Sequence, residues 1–251
     1  MASFIAAATA DAQIVYTFIE GTRLRIDGVP VGPIGTTYAG TDGVNLAEAF
    51  PNFNFRSGDD SSDGPEFTVD GDEPGGSGNE TQAVLRFSDI FDVLPDFATI
   101  HSAELFIDID NGGDDLLLYQ VAGGFDWSGN TATWNNFGTS ANDGVNVGTE
   151  TVGGAITVDG GGDKVSIDVT EIVQRWFAGD PNNGVVFVPT GNNGVDFDSF
   201  ATGKFGNDPR DRPRLNLTIK VPEPAGIAAG LGAAALAVTL LRRYVRRMPW
   251  S

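Results

Sequence analysis

Between Thr99 and Asp110 the chain alternates with a period of two, more clearly than anywhere else in its 251 residues. Ile100, Ser102, Glu104, Phe106 and Asp108 fall on one side, and His101, Ala103, Leu105, Ile107 and Ile109 on the other. A strand points successive side chains to opposite faces, whereas a helix would scatter these residues around its axis. The segment is therefore a strand, and a strand with an apolar face needs a second layer to cover it. Asn111-Gly112-Gly113 then predicts a hairpin into Asp115 to Val121, because glycine tolerates positive φ.

Other short segments repeat the theme. Ile14 to Ile26 is strand-like, with Ile14, Tyr16 and Phe18 alternating against Val15, Thr17 and Ile19. Gly28 to Gly43 is rich in turn residues, and Asn45 to Phe55 holds Phe50, Phe53 and Phe55. Strands are predicted at Phe67 to Val69, Gln82 to Phe87, Val165 to Val169, Val185 to Pro189, Val195 to Phe200 and Arg214 to Lys220. Between Val169 and Trp176 the apolar spacing changes to i, i+3, i+4, i+7, predicting one helix over Thr170 to Ala178. Asp168 and Glu171 give it a capping-box-like start, and Gly179 with Pro181 a stop. Short strands separated by turns, with one short helix, describe an all-β sandwich of antiparallel sheets.

The second constraint is the tail. Val221-Pro222-Glu223-Pro224 is followed by 17 uncharged residues, Ala225 to Leu241, and then by Arg242, Arg243, Arg246 and Arg247. At about 1.5 Å per residue this run is a short transmembrane helix, and its Ala and Gly residues allow close helix contact in lipid. Arginines directly after the span stay on the cytoplasmic side, which places the preceding residues outside. A buried core helix is the alternative, against which the flanking charges and the Pro-Glu-Pro breaker both argue. At the other end, Ala10-Asp11-Ala12 fits a small-x-small cleavage pattern, so residues 1–12 read as the end of a truncated signal peptide.

Composition narrows the function classes. The chain has no cysteine, which excludes disulfides, thiol catalysis and Cys-based zinc sites. The formal charge is −19; four of the 15 basic residues and one of the 34 acidic ones, Glu223, lie in the tail, so residues 1–221 carry −22. Such a surface repels nucleic acid and anionic lipid. Carboxylates are hard ligands for calcium, and solubility in a crowded matrix accounts for the same charge.

Pro222-Glu223-Pro224, the apolar span and the arginine cluster together resemble a PEP-CTERM sorting tail. The resemblance implies export in a Gram-negative bacterium that makes exopolysaccharide. It further implies inner-membrane anchoring before processing by an exosortase, then a place at the cell surface or in the extracellular matrix. A second resemblance rests on ordered blocks: Ala83 to Phe87, Ala98 to Leu105, Asp126-Trp127-Ser128, Thr131 to Asn135, Ile167 to Thr170, Val173 to Trp176, Asn182-Asn183-Gly184 and Arg212 to Leu215. These look like a DNRLRE-type domain, similar to carbohydrate-binding module family 96, from about residue 36 to 220. The family implies a jelly-roll sandwich in a secreted or surface setting and does not fix a ligand. The expected organisation is a leader over 1–12, a β-sandwich ectodomain over 13–220 and a sorting tail over 221–251.

Candidate sites follow. Trp127, Trp134 and Asn135 invite carbohydrate binding, since sugar C–H faces stack on indoles and amides bond hydroxyls; the competing reading makes both indoles buried struts. Asp59, Asp60, Asp63, Asp70, Asp72 and Glu73 offer oxygen ligands for calcium between glycine turns. Asp108, Asp110 and Asp114 fail the EF-hand spacing, because Gly112 and Tyr119 stand at its fifth and twelfth positions. Catalysis has little material. His101 is the single histidine, and nothing selects one carboxylate pair for glycoside hydrolysis or lyase chemistry. The expectation is a non-catalytic surface or matrix protein associated with exopolysaccharide, with a carbohydrate-binding module as the alternative.

Overall fold

The computed structural model describes residues 11–32, 36–56, 59–61, 64–71, 80–121, 127–137, 147–150, 155–158, 160–162, 164–199 and 211–222. In chain order the strands are β1 (Asp11–Ile19), β2 (Arg25–Ile26), β3 (Val29–Pro30), β4 (Thr41–Ala47), β5 (Phe55–Arg56), β6 (Asp59–Ser61), β7 (Gly64–Val69) and β8 (Thr81–Phe87). They continue with β9 (Thr99–Asn111), β10 (Leu116–Val121), β11 (Val147–Glu150), β12 (Lys164–Asp168), β13 (Val185–Pro189), β14 (Val195–Asp198) and β15 (Arg214–Pro222). One helix, α1 (Thr170–Phe177), lies between β12 and β13.

The strands form two antiparallel sheets, an all-β sandwich. One runs β3-β2-β1-β15-β9-β14-β7-β6, with β12 also paired to β9, and the other runs β11-β10-β13-β8-β4-β5. Between them lies a core that includes Phe18, Phe67, Leu85, Leu105, Ile107, Ile109, Leu118, Phe187, Phe197 and Leu217. The six-stranded sheet also buries its outer face: Val44, Leu46, Val84 and Val186 pack beneath Trp127, Ala132, Trp134 and Phe137. This explains why β8 and β4 are buried on both faces rather than alternately.

The ladder β1–β15 joins the two ends of the described chain through nine pairs, from Asp11↔Pro222 to Ile19↔Arg214. The last strand thus runs two residues beyond the predicted Lys220, and Val221 and Pro222 pair with Ala12 and Asp11. The predicted strand Ile14 to Ile26 is broken: β1 stops at Ile19, and β2 returns antiparallel beside it. Asp27 and Gly28, at φ 48° and 77°, then make the two-residue turn from β2 to β3.

Three expectations are corrected. Asn111-Gly112-Gly113 does not close a hairpin, since β9 belongs to the larger sheet and β10 to the smaller. It carries the chain across the sandwich, and neither glycine adopts the left-handed region. A Cβ on Gly112 would sit 2.4 Å from the Gly160 Cα, and one on Gly113 would sit 2.2 Å from the carbonyl oxygens of Asn193 and Gly194. Close backbone approach, not positive φ, requires glycine there. Along β9 the strict alternation breaks at a bulge, where Thr218 pairs with Ser102 but Ile219 pairs with Ile100. Ile100 therefore joins the buried set with Ala103, Leu105, Ile107 and Ile109, and His101 turns to solvent. The capping box is also absent: Val169 is the N-cap, and Asp168 Oδ1 accepts from Thr170 N at 2.8 Å. Glu171 pairs instead with Arg175 one turn on.

The helix buries Ile172, Val173 and Trp176, as its spacing predicts. Polar contacts dock it on β9: Ala103 N donates to Thr170 Oγ1 at 2.9 Å, and Gln174 Nε2 donates to Ile100 O at 3.1 Å. Gly179, at φ 115°, ends it. The predicted transmembrane helix and arginine cluster lie outside the described residues, as do residues 1–10. Among the described residues no helix is long and apolar enough to cross a membrane.

Replacing Gly113 by alanine forces its Cβ onto two backbone oxygens. Gly113→Ala is expected to lose about 1–3 kcal/mol in urea denaturation, through overpacking that backbone cannot relieve. Phe97→Ala, at an exposed side chain, should stay within about 0.5 kcal/mol of the parent.

Candidate functional site

The loop over the outer face of the six-stranded sheet is built around two indoles. Trp127 and Trp134 are 4% and 5% exposed. Trp127 Nε1 donates to the Asn183 carbonyl at 2.7 Å, its ring lies 5.5 Å from that of Phe137, and the Arg86 guanidinium sits 4.8 Å over it. Rings enclosed in this way present no open face for a sugar, so both act as struts. Asn135 is exposed, and it works on the neighbouring segment: its Nδ2 donates to Asn52 Oδ1 at 3.0 Å, and its backbone N to Pro51 O at 2.9 Å.

Further polar contacts lock the same two segments together. Asn54 Nδ2 donates to the carbonyls of Gly129 and Ala132 at 2.7 and 2.5 Å, and Arg56 donates to Asn130 Oδ1 at 2.5 Å. Asp42, on β4, accepts from Gly129 N at 2.9 Å and lies within 3.7–3.8 Å of the Arg56 and Arg86 guanidiniums. A Cβ on Gly129 would meet Asp42 Oδ1 at 2.2 Å, so only glycine admits this approach. The loop and residues 50–56 form one pinned unit.

That unit displays an aromatic cluster. Phe53 and Phe55 lie 4.6 Å apart between ring centroids, and Phe50 meets Phe55 edge-on at 6.0 Å. Phe50 and Phe53 are 61% and 59% exposed, unusual for phenylalanine. The three rings line a groove of about 440 Å³ with Asn45, Ala47, Ala49, Thr68 and Thr81, between β4 and β7. Asn45 is 3% exposed, and its Oδ1 makes no hydrogen bond. The sequence shows the three phenylalanines without assigning them a role. The signal was available: three aromatics within six residues, among Pro and Asn, without the alternation that would make them a core face.

A second groove, of about 450 Å³, opens beside Phe18, Leu24 and Tyr38, with Asp89 and Asp92 at its rim. Its phenol is already used, since Tyr38 OH donates to Ser88 O at 2.9 Å. Burial, then the nearby Glu20 carboxylate, push that phenol far above its ordinary range. Elsewhere, Lys164 bonds Asp108 and reaches Asp211 at 3.2 Å beside Arg214, whose guanidinium covers the Phe106 ring at 4.3 Å. Partial burial lowers the Lys164 pKa, but the two carboxylates outweigh it and hold the amine charged.

The acidic residues proposed for calcium separate in part. Asp59 and Asp60 stand on β6 opposite Glu66 and Pro65, and Asp70 follows β7 in a bridge with Thr81. Asp63, Asp72 and Glu73 lie outside the described residues. Among the described residues no group of three His, Asp or Glu is placed to hold a metal ion. His101 is solvent-facing at the β9 bulge.

The described residues define a β-sandwich with an aromatic groove between β4 and β7. No protein-family model matches the chain, and no curated protein matches it.

Trp127→Phe removes the buried donor to Asn183 while keeping most of the ring volume, and is expected to cost about 1–3 kcal/mol in urea denaturation. The Tyr38 phenol predicts an alkaline transition. Its folded pKa lies above the unfolded value of 10.0, so the stability it contributes is complete below that pH and is lost as pH rises further. Near-ultraviolet phenolate absorbance should show one tyrosine ionising only as the fold melts, and Tyr38→Phe should remove that component.

Proposed function

We propose that this chain is a non-catalytic exported protein of the cell surface or extracellular matrix, working among exopolysaccharide. The body is a jelly-roll-like sandwich similar to a DNRLRE-type domain, and a PEP-CTERM-like tail gives its address. The observation that carries this reading is how far the sheet reaches. Strand β15 extends to Pro222, inside Val221-Pro222-Glu223-Pro224, and the uncharged run begins three residues later at Ala225. A sandwich completed by β15 can fold before its tail meets membrane or processing enzyme. The four arginines then hold the far end of the span on the cytoplasmic side. The formal −22 of residues 1–221 suits a body that stays dispersed in a polymer matrix and does not bind nucleic acid.

Leader cleavage after Ala12 is compatible with the fold. It removes the Asp11↔Pro222 and Ala12↔Val221 pairs and leaves the seven from Gln13↔Lys220 to Ile19↔Arg214. Calcium held by Asp59, Asp60, Asp63, Asp70, Asp72 and Glu73 would add matrix-dependent stability; a melting temperature equal in calcium and in chelator removes that element. A second reading, a carbohydrate-binding module, is favoured by the phenylalanine groove at Asn45.

Fractionation of the native protein, with mass spectrometry of both ends, tests the address. The exported form should begin near Gln13 and end within or just after Val221–Pro224. A cytosolic protein with Met1 and Ser251 intact would overturn the reading.

A further inference from the structure

We propose that the groove between β4 and β7 is a binding subsite for one uncharged pyranose unit of a polysaccharide, held by Phe50, Phe53 and Phe55 above Asn45. The proposal rests on the reading that the protein works among exopolysaccharide, and it names the class of sugar and the residues that take it.

Four observations converge. First, the aromatic rings are exposed by construction. Residues 50–56 are held by Asn54, Arg56 and Asn135 to the loop that the buried indoles anchor, so the platform exists before any ligand arrives. Preorganised aromatic surface binds without a large ordering cost. Second, the side-chain Oδ1 of Asn45, a residue that lines the groove, is enclosed without a donor. A buried acceptor left in this state is destabilising, and a turn of the Asn45 side chain toward the groove it lines would let a ligand hydroxyl satisfy it. Third, the shape is concave, and at about 440 Å³ it accommodates a monosaccharide ring. Fourth, charge selects among ligands. No Lys or Arg is among the described residues lining the groove, while the chain as a whole carries −19. A uronate or sulfated sugar would enter a repulsive field with no counter-charge.

The alternatives fit less of this. An apolar peptide side chain or a second copy would cover the rings but bury the Asn45 oxygen against carbon. A pyranose has both surfaces: C–H groups on one face for the rings, and equatorial hydroxyls at its edge for the Asn45 amide. The groove at Tyr38 lacks this pairing, since its phenol is already bonded and carboxylates stand at its rim.

The test uses the full-length protein, held in a detergent with no sugar headgroup. Its binding to neutral gluco-, manno- and galacto-oligosaccharides and to oligogalacturonate is measured by calorimetry, with affinity electrophoresis in the corresponding polysaccharides. The expected result is saturable binding of at least one neutral series and none of the uronate. Phe50→Ala and Phe53→Ala, both at exposed side chains, should each weaken it by about tenfold with unchanged melting temperature. Asn45→Leu should keep the fold and abolish the same binding. Absence of binding to every neutral series, binding unaffected by the phenylalanine variants, or preference for the uronate would each overturn the proposal. Self-association abolished by Phe53→Ala would overturn it in favour of a second copy. None of these outcomes bears on export, which the end-mapping of the native protein decides separately.

Discussion

The structure depends on covering the six-stranded sheet from both sides. Its inner face packs against the larger sheet through residues such as Ala83, Leu85 and Phe187, and its outer face carries Val44, Leu46, Val84 and Val186. An apolar sheet face left to water would forfeit roughly 25 cal/mol for each Å² not buried. The loop of residues 127–137 supplies the missing layer, with Trp127, Trp134 and Phe137 as its substance. In a cysteine-free chain no disulfide can hold such a loop in place. Packing must do so, together with the few polar contacts that fix its register.

Those contacts show how position propagates. Asp42 on β4 receives the Gly129 amide, Trp127 reaches the Asn183 carbonyl, and Asn54 spans the Gly129 and Ala132 carbonyls. Each ties residues more than 50 positions apart in the chain, so each forms only once those distant segments have met. The consequence reaches the surface, because the segment held against the loop is the one that displays Phe50 and Phe53. A groove made in this way inherits the rigidity of the core beneath it, the condition a binding site needs.

The elements that could be read from the chain are those whose local signal agrees with their tertiary role. The pattern of β9 and the i, i+3, i+4, i+7 spacing of α1 are of this kind, and so are the strands β8, β13 and β15. Where local signal and tertiary role diverge, reading failed for identifiable reasons. Strand β4, Thr-Asp-Gly-Val-Asn-Leu-Ala, has poor strand propensity and is buried on both faces, so neither composition nor alternation marks it. The Asn-Gly-Gly turn has the residues of a hairpin, yet its glycines serve contacts with residues 160, 193 and 194. His101 leaves the apolar face because a bulge between β9 and β15 shifts the phase, and a bulge belongs to a pair of strands, not to one. The candidate site divides in the same way: Trp127, Trp134 and Asn135 stood out by residue type, while the groove at Asn45 required knowing which aromatics remain uncovered.

What the sequence alone determined is therefore the class and the plan: period-two strands, one amphipathic helix, an acidic cysteine-free body, and a basic-flanked apolar tail. These are properties of neighbouring residues, and periodicity and charge record them directly. Tertiary structure decided which face of each strand is covered, which indoles are enclosed, and which phenylalanines stay open to solvent. Burial is a relation between segments distant along the chain. A residue's own identity fixes what it would contribute if buried, but only the partner that arrives across the sheet decides whether it is.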